Sequence, residues 1–265
     1  PGKHFFSFLD MGNWKFIFPK LHEWYIICMK GRVYFKSHYS ENPNGLYGGN
    51  DPADNSGVIK YVSIRHGGAN IGEGNEINGL TLGGVGNGTV IENIEVVANQ
   101  DDGIEWFGGT VNVTNAVVWN AGDDAMDTDQ AWSGTLDNFI VICGSETDHA
   151  LEIDGPEGSA NAGHTLTNGW IKGNSVAELG NWRSNAQGKF EKIYFFNFDA
   201  GMADGRGDFD LDDASAPNFP TTLMFDKLEI TTDLHVMFLD LKYEATEDVK
   251  TIVYLETTFV LSFLF

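Results

Sequence analysis

Cysteine is nearly missing from this chain. Among 265 residues only Cys28 and Cys143 occur, far apart and in unlike surroundings, which excludes a disulfide framework. Cys143 closes an apolar run and reads as a small buried residue. Basic residues are scarce as well, with 16 Lys and Arg against 38 Asp and Glu and a net charge of -22. That excludes nucleic acid as a partner, since affinity there comes from neutralising phosphates with Lys and Arg. An acidic surface suits divalent cations, neutral or cationic ligands, or simple solubility. No apolar run reaches the roughly 18 residues that a helix needs to cross a bilayer, so no membrane span is predicted. The chain begins at Pro1, so a removed secretion signal would leave no trace in it.

Glycine and aromatic residues are plentiful. Gly at 32 and aromatics at 13% suit a turn-rich all-β chain. The organising stretch runs from Gly88 to Gly155. Gly88-Thr89-Val90, Gly109-Thr110-Val111 and Gly134-Thr135-Leu136 open three consecutive units, about 21 to 25 residues apart. Asn93, Asn115 and Asn138 fall at one place in each unit, and the apolar runs 94–97, 116–119 and 139–142 follow them. A second short strand is predicted in each unit over 103–106, 125–128 and 150–153. These segments are too short and too β-branched for helices, and Gly, Asn and Asp clusters punctuate them. Stacked units of this kind coil into a parallel β-helix, with the Asn column forming a structural amide ladder at a turn.

Taken in order, residues 1–40 stand apart as a basic, aromatic-rich segment, either a cap over the end of the coil or a non-native flank. Residues 41–240 form the β-helix domain. Tyr61-Ile64 aligns with the Asn93 column, His164-Thr165-Leu166 restarts the pattern with Asn168 in the Asn column, and 190–196 begins a sixth turn. Six turns at about 4.8 Å each make a rod roughly 30 Å long. Residues 201–218 form an acidic loop. Its Asp208-x-Asp210-x-Asp212 alternation has calcium-loop spacing, but Asp213 and Phe219 stand where such a loop needs Gly and Glu. Residues 241–265 are an apolar tail.

The repeats, with the blocks SGVIKYVSIRHGG, NEINGLTLGGVG, DDGIEWFGGTV and DDAMDTDQAWSG, resemble the right-handed parallel β-helix, or pectin-lyase-like, superfamily, within it a group of bacterial secreted or cell-surface proteins. That resemblance implies an extracellular or cell-surface location. A second resemblance is to the polygalacturonase-type glycosidases. Successive turns carry Asp101-Asp102-Gly103, Gly122-Asp123-Asp124, Asp148-His149-Ala150 and Arg183. It implies Asp123 as general acid, Asp102 and Asp124 as the groups that activate water, and His149 and Arg183 as substrate-positioning residues. Asn99-Gln100 before the first acids, the absence of glycines beside His149, and Asn185 in place of a lysine depart from that pattern.

The residues support acid chemistry without the family. Copies of a position on adjacent turns lie about 4.8 Å apart, so Asp102 neighbours Asp123-Asp124, and carboxyls that close raise one another's pKa. Diagonal pairs can reach the roughly 6.5 to 9.5 Å of an inverting hydrolase. The alternative is that these Asp-Gly pairs are turns. If Ile104, Met126 and Leu151 point inward, period-2 alternation sends Glu105, Asp127 and Glu152 outward in one column, with Asp129 and Asp154 two residues further along. Like charges in register repel, so this column is expected either to hold Ca²⁺ or to be a solvated acidic face. Trp106 and Trp132 lie near it as candidates for stacking on sugar rings. His66, His149 and His164 have no zinc-ligand spacing. The sequence thus points to a carbohydrate-active β-helix acting on or binding a polysaccharide or glycan. The alternative is a non-catalytic surface β-helix that binds glycan or calcium or serves as a spacer.

Overall fold

The computed structural model describes residues 26–28, 47–69, 77–198 and 209–231. The expectations for 1–40 other than 26–28, for the tail 241–265, and for Asp208 lie outside these residues. Long strands β2 (Val58–Arg65), β4 (Val90–Val97), β6 (Asn112–Trp119), β8 (Thr135–Ile142), β10 (His164–Lys172), β12 (Gly188–Phe196) and β14 (Leu223–Thr231) alternate along the chain with short ones. The short strands are β1 (Ile26–Cys28), β3 (Leu80–Gly83), β5 (Ile104–Phe107), β7 (Met126–Asp129), β9 (Leu151–Asp154), β11 (Gly180–Arg183) and β13 (Phe209–Leu211). Each set forms its own seven-stranded sheet in which every strand pairs in parallel with the copies before and after it. The chain is therefore a parallel β-helix. The six turns read from the sequence correspond to β2 through β12, and β14 adds a seventh long strand.

The Asn column explains how the coil turns its corner. Asn93, Asn115, Asn138 and Asn168 all lie in the left-handed region, with φ of 59°, 60°, 59° and 59°, a conformation that Asn tolerates better than most residues. Asn115 donates to Asn93 at 2.9 Å and Asn138 to Asn115 at 2.5 Å. Tyr61, Lys192 and Lys227 occupy the same column at φ 58°, 54° and 54°. One left-handed residue shifts the alternation of faces, so the buried positions of β8 are Leu136, then Phe139 three residues on, then Val141. Both arms of the strand thereby face one core.

That core is tightly stacked. Trp106 lies on Trp132 at 4.7 Å, Trp132 on His164 at 4.8 Å, and Trp182 on Phe209 at 4.0 Å. Burial drives the His164 imidazole down to a pKa of about 3, so it stays neutral in the stack. Cys143 is buried and unbonded, as expected, and burial pushes its thiol up to about 12. Gly169 pairs in register with Phe139, whose ring fills the space a Cβ would take. Gly169→Ala should therefore cost about 1 to 3 kcal/mol in a urea unfolding curve, and Phe139→Leu in the same chain should recover part of it.

Candidate functional site

Five segments on successive turns build the outer face of the short sheet: residues 78–83, 102–107, 124–129, 149–154 and 178–183. Register places Glu105 beside Asp127, Asp127 beside Glu152, and Glu152 beside Asn181. Three residues earlier a second column runs Asn78, Asp102, Asp124, His149 and Glu178, with His149 bridged to Glu178. Small residues follow this column at Gly79, Gly103, Ala125 and Ala150. At Gly103 a Cβ would strike Val118 and the carbonyl of Ala125.

The second column binds itself across turns. Asp102 Oδ1 accepts the Asp124 N–H at 3.0 Å, and Asp124 Oδ1 accepts the His149 N–H at 2.8 Å. The His149 ring carries Nδ1 at 2.7 Å from Asp124 Oδ1 and Nε2 at 3.4 Å from Glu178 Oε2. Arg183 donates through Nη1 to Glu152 at 2.7 Å and through Nη2 to Asp154 at 2.9 Å. Asn78 donates to Glu105. Four groups bring three ligating side chains within 4.8 Å of one another: Asp101, Asp102 and Asp123; Asp102, Glu105 and Asp127; Asp124, His149 and Glu152; and Asp127, Glu152 and Asp154.

The solvated-face alternative for the outer column is overturned. Glu105, Asp127 and Glu152 are each only 7% exposed. At the rim Tyr47 lies over Gly83, packs beside Phe107, and donates to Gln130 Oε1 at 2.7 Å. Burial, reinforced by neighbouring carboxylates, holds the Asp102, Glu105 and Asp127 carboxyls well above the usual range. Burial and the nearby Glu157 lift Asp129 to about 7, and burial and Asp124 lift Glu152 to about 9. Burial works against charge on His149, but its bonds to Asp124 and Glu178 outweigh that and raise it to about 10. The face thus stores protons on several carboxyls beside an imidazolium, a pattern typical of functional sites.

The structure brings together every expected acid of this face, with His149 and Arg183. It corrects the expectation for Trp106 and Trp132. They are 0% and 1% exposed, stacked inside the coil, and the Trp132 indole N–H is spent on the Val111 carbonyl at 3.0 Å. Neither presents a ring to a ligand. In the acidic loop, Asp212 accepts the Ser184 N–H at 2.8 Å and the Ser215 N–H at 2.6 Å, a turn-forming role. Asn78 and Glu178 are site residues that sequence reasoning missed. The signal was present in the aligned segments NGLTLG, DGIEWF, DAMDTD, HALEID and ELGNWR, whose first column is polar throughout.

A parallel β-helix with an acidic, proton-storing face on one sheet defines the class. The chain belongs to the family described as the pectate-lyase like beta helix domain, whose model matches residues 23–251. No curated protein and no solved structure matches it.

Proposed function

We propose that this chain is a carbohydrate-active β-helix protein that hydrolyses glycosidic bonds of a polysaccharide at the outer face of the short sheet, outside the cell or at a bacterial cell surface. The observation that carries the reading is the group Asp101, Asp102 and Asp123. Its carboxyls lie within 4.8 Å of one another, with Asp102 buried and Asp123 half-buried. Burial that holds Asp102 protonated suits it to give a proton, so the role expected of Asp123 passes to Asp102. Carboxylate oxygens within 4.8 Å of one another suit the roughly 5 to 5.5 Å separation of a retaining pair. In this reading Asp102 protonates the glycosidic oxygen as Asp123 attacks the anomeric carbon. Water then cleaves the glycosyl ester and returns its proton to Asp102. His149 and Arg183 fix Asp124, Glu152 and Asp154 rather than touching the sugar.

Asp123→Asn should lower turnover of a responsive polysaccharide at least about a hundredfold while leaving the melting temperature within a few degrees. The product should keep its anomeric configuration by proton NMR. Unchanged turnover removes Asp123 from the reaction, and an inverted product removes the pairing. The second reading, a non-catalytic surface that binds glycan or calcium, is favoured by one observation: Asp127 Oδ1 is buried without a hydrogen-bond partner. Asp102, Glu105 and Asp127 form an all-oxygen donor set that fits Ca²⁺. A bound cation there would neutralise the face. Among the described residues no helix is long and apolar enough to cross a membrane.

A further inference from the structure

The left-handed residue of each long strand divides it into two arms, and their outer faces differ. Outside the first arm polar pairs fill most of the outer columns, with Lys60 meeting Glu92 at 2.8 Å, Asn168 donating to Asp137 at 2.7 Å and Lys189 meeting Glu191 at 2.6 Å, and the exposed apolar Val58 and Met224 stand apart on the first and last long strands. Outside the second arm, register aligns Val117, Ile140, Trp170 and Tyr194 in one column, with Trp119 and Phe196 in the next. The core does not need these side chains, because Val118, Val141, Ile171 and Phe195 fill it from the same arm. Trp119 is 51% exposed, Trp170 59% and Ile140 43%. An apolar strip of this kind on a sheet face marks a binding surface. Its ends are charged, with the Arg65–Glu95 pair at 2.5 Å on one side and Glu229 on the other.

The rings are held in place. Tyr194 and Phe196 stack at 5.1 Å with 14° between planes, and Trp170 stands nearly perpendicular to both, at 76° and 81°. A side chain already ordered loses little entropy when a ligand covers it. The strip runs along the coil axis with one position per turn, about 4.8 Å apart. That line suits a linear repeating ligand. Sugar rings offer an apolar C–H face to an indole and hydroxyls at their edges, within reach of a donor such as the exposed Lys172 in the Trp119 and Phe196 column. A net charge of -22 disfavours anionic polymers.

We infer that this aromatic face is a second carbohydrate-binding surface, which holds an extended, uncharged polysaccharide along the coil. It rests on the carbohydrate reading above, but on none of the residues of the acidic face. Retention on insoluble cellulose, mannan, xylan and chitin tests it, using the full chain, Trp119→Ala, Trp170→Ala and Asp123→Asn. Binding of the full chain and of Asp123→Asn to at least one of these, weakened about tenfold by each tryptophan change at unaltered melting temperature, is the expected result. Retention that survives each tryptophan change overturns the inference, and its loss in Asp123→Asn would then place the glycan on the acidic face. No retention at all also overturns it, while the cleavage reading is judged separately by turnover. So does a dimer in light scattering that the tryptophan changes abolish without any glycan retention, since the strip would then join two copies of this chain.

Discussion

Stripped of divalent ions by a chelator, the protein should lose stability steadily as the pH rises from about 6.5 toward 10. Glu152 holds its proton in the folded chain to about pH 9, against 4.5 as its ordinary value, and His149 holds its own to about 10, against 6.5. Between those limits the folded form carries protons that the unfolded form has lost, so rising pH favours unfolding. The raised Asp102, Glu105 and Asp127 carboxyls act in the same direction. His164, lowered to about 3, acts the opposite way, but only between about 3 and 6.5 and as one group against several carboxyls. Each extra proton on the folded form contributes about 1.4 kcal/mol per pH unit. Two such groups at pH 8 imply a fall of roughly 5 to 10 °C in melting temperature per pH unit for a domain of this size. Glu152→Gln should make the slope shallower by about one proton. A melting temperature that is flat or rises between pH 7 and 9 would show that these carboxyls are not buried in solution.

The repeat was legible because the left-handed corner favours one residue type. Wherever that corner is Asn, at 93, 115, 138 and 168, the column could be read from the spacing, and the apolar runs 94–97, 116–119 and 139–142 are the second arms of β4, β6 and β8, whose first arms begin four residues earlier. Where Tyr61, Lys192 or Lys227 fills the same corner, the neighbouring turns and the paired strands supply the geometry. Tyr61 and the Lys192 turn were placed through the apolar residues around them, and the turn at Lys227 was missed. Alternation also fixed the outer column. Once Ile104 is inward, Glu105 must be outward and Trp106 inward again, and that same step already contradicted a sugar-stacking role for Trp106. Trp132 sits in a turn, where alternation gives no direction.

Burial of the acidic face was not legible, because it depends on which distant residues lie over the sheet. Tyr47 reaches Gln130, 83 residues further along the chain, and no spacing in the sequence connects them. The pairing of His149 with Glu178 was hidden for a related reason: the loop between turns lengthens after Gly155, so the fourth and fifth copies no longer keep the period of the first three. The same lengthening carries Arg183 into line with Asp154. That alignment ties Arg183 to the lower acids, Glu152 and Asp154, and it reaches Asp127, one of the upper acids with Asp102 and Glu105, only through space.

Those upper acids are where added calcium should act most strongly. In the sequence the cation was expected along Glu105, Asp127 and Glu152, but Glu152 already has Arg183 at 2.7 Å. The need for positive charge is greater at Asp102, Glu105 and Asp127, which lie within 4.8 Å of one another and include the unpartnered Asp127 oxygen. Without a cation, burial and mutual repulsion hold the pKa of all three carboxyls well above the usual range. An ion that binds them must displace protons from them, so its affinity should rise with pH. A ligand specific to the folded form stabilises it by about 2.7 kcal/mol at a hundredfold excess over its Kd, or roughly 5 to 10 °C for a domain of this size. Millimolar Ca²⁺ at pH 8 should therefore raise the melting temperature by that amount over chelator, and by less at pH 6. Asp127→Asn removes one ligand charge and one forced ionisation. The variant should lose most of the calcium response and, in chelator at pH 8, melt above the wild-type protein. A full calcium response in Asp127→Asn would move the ion elsewhere, and a wild-type melting curve indifferent to calcium at pH 8 would leave these carboxyls as proton stores alone.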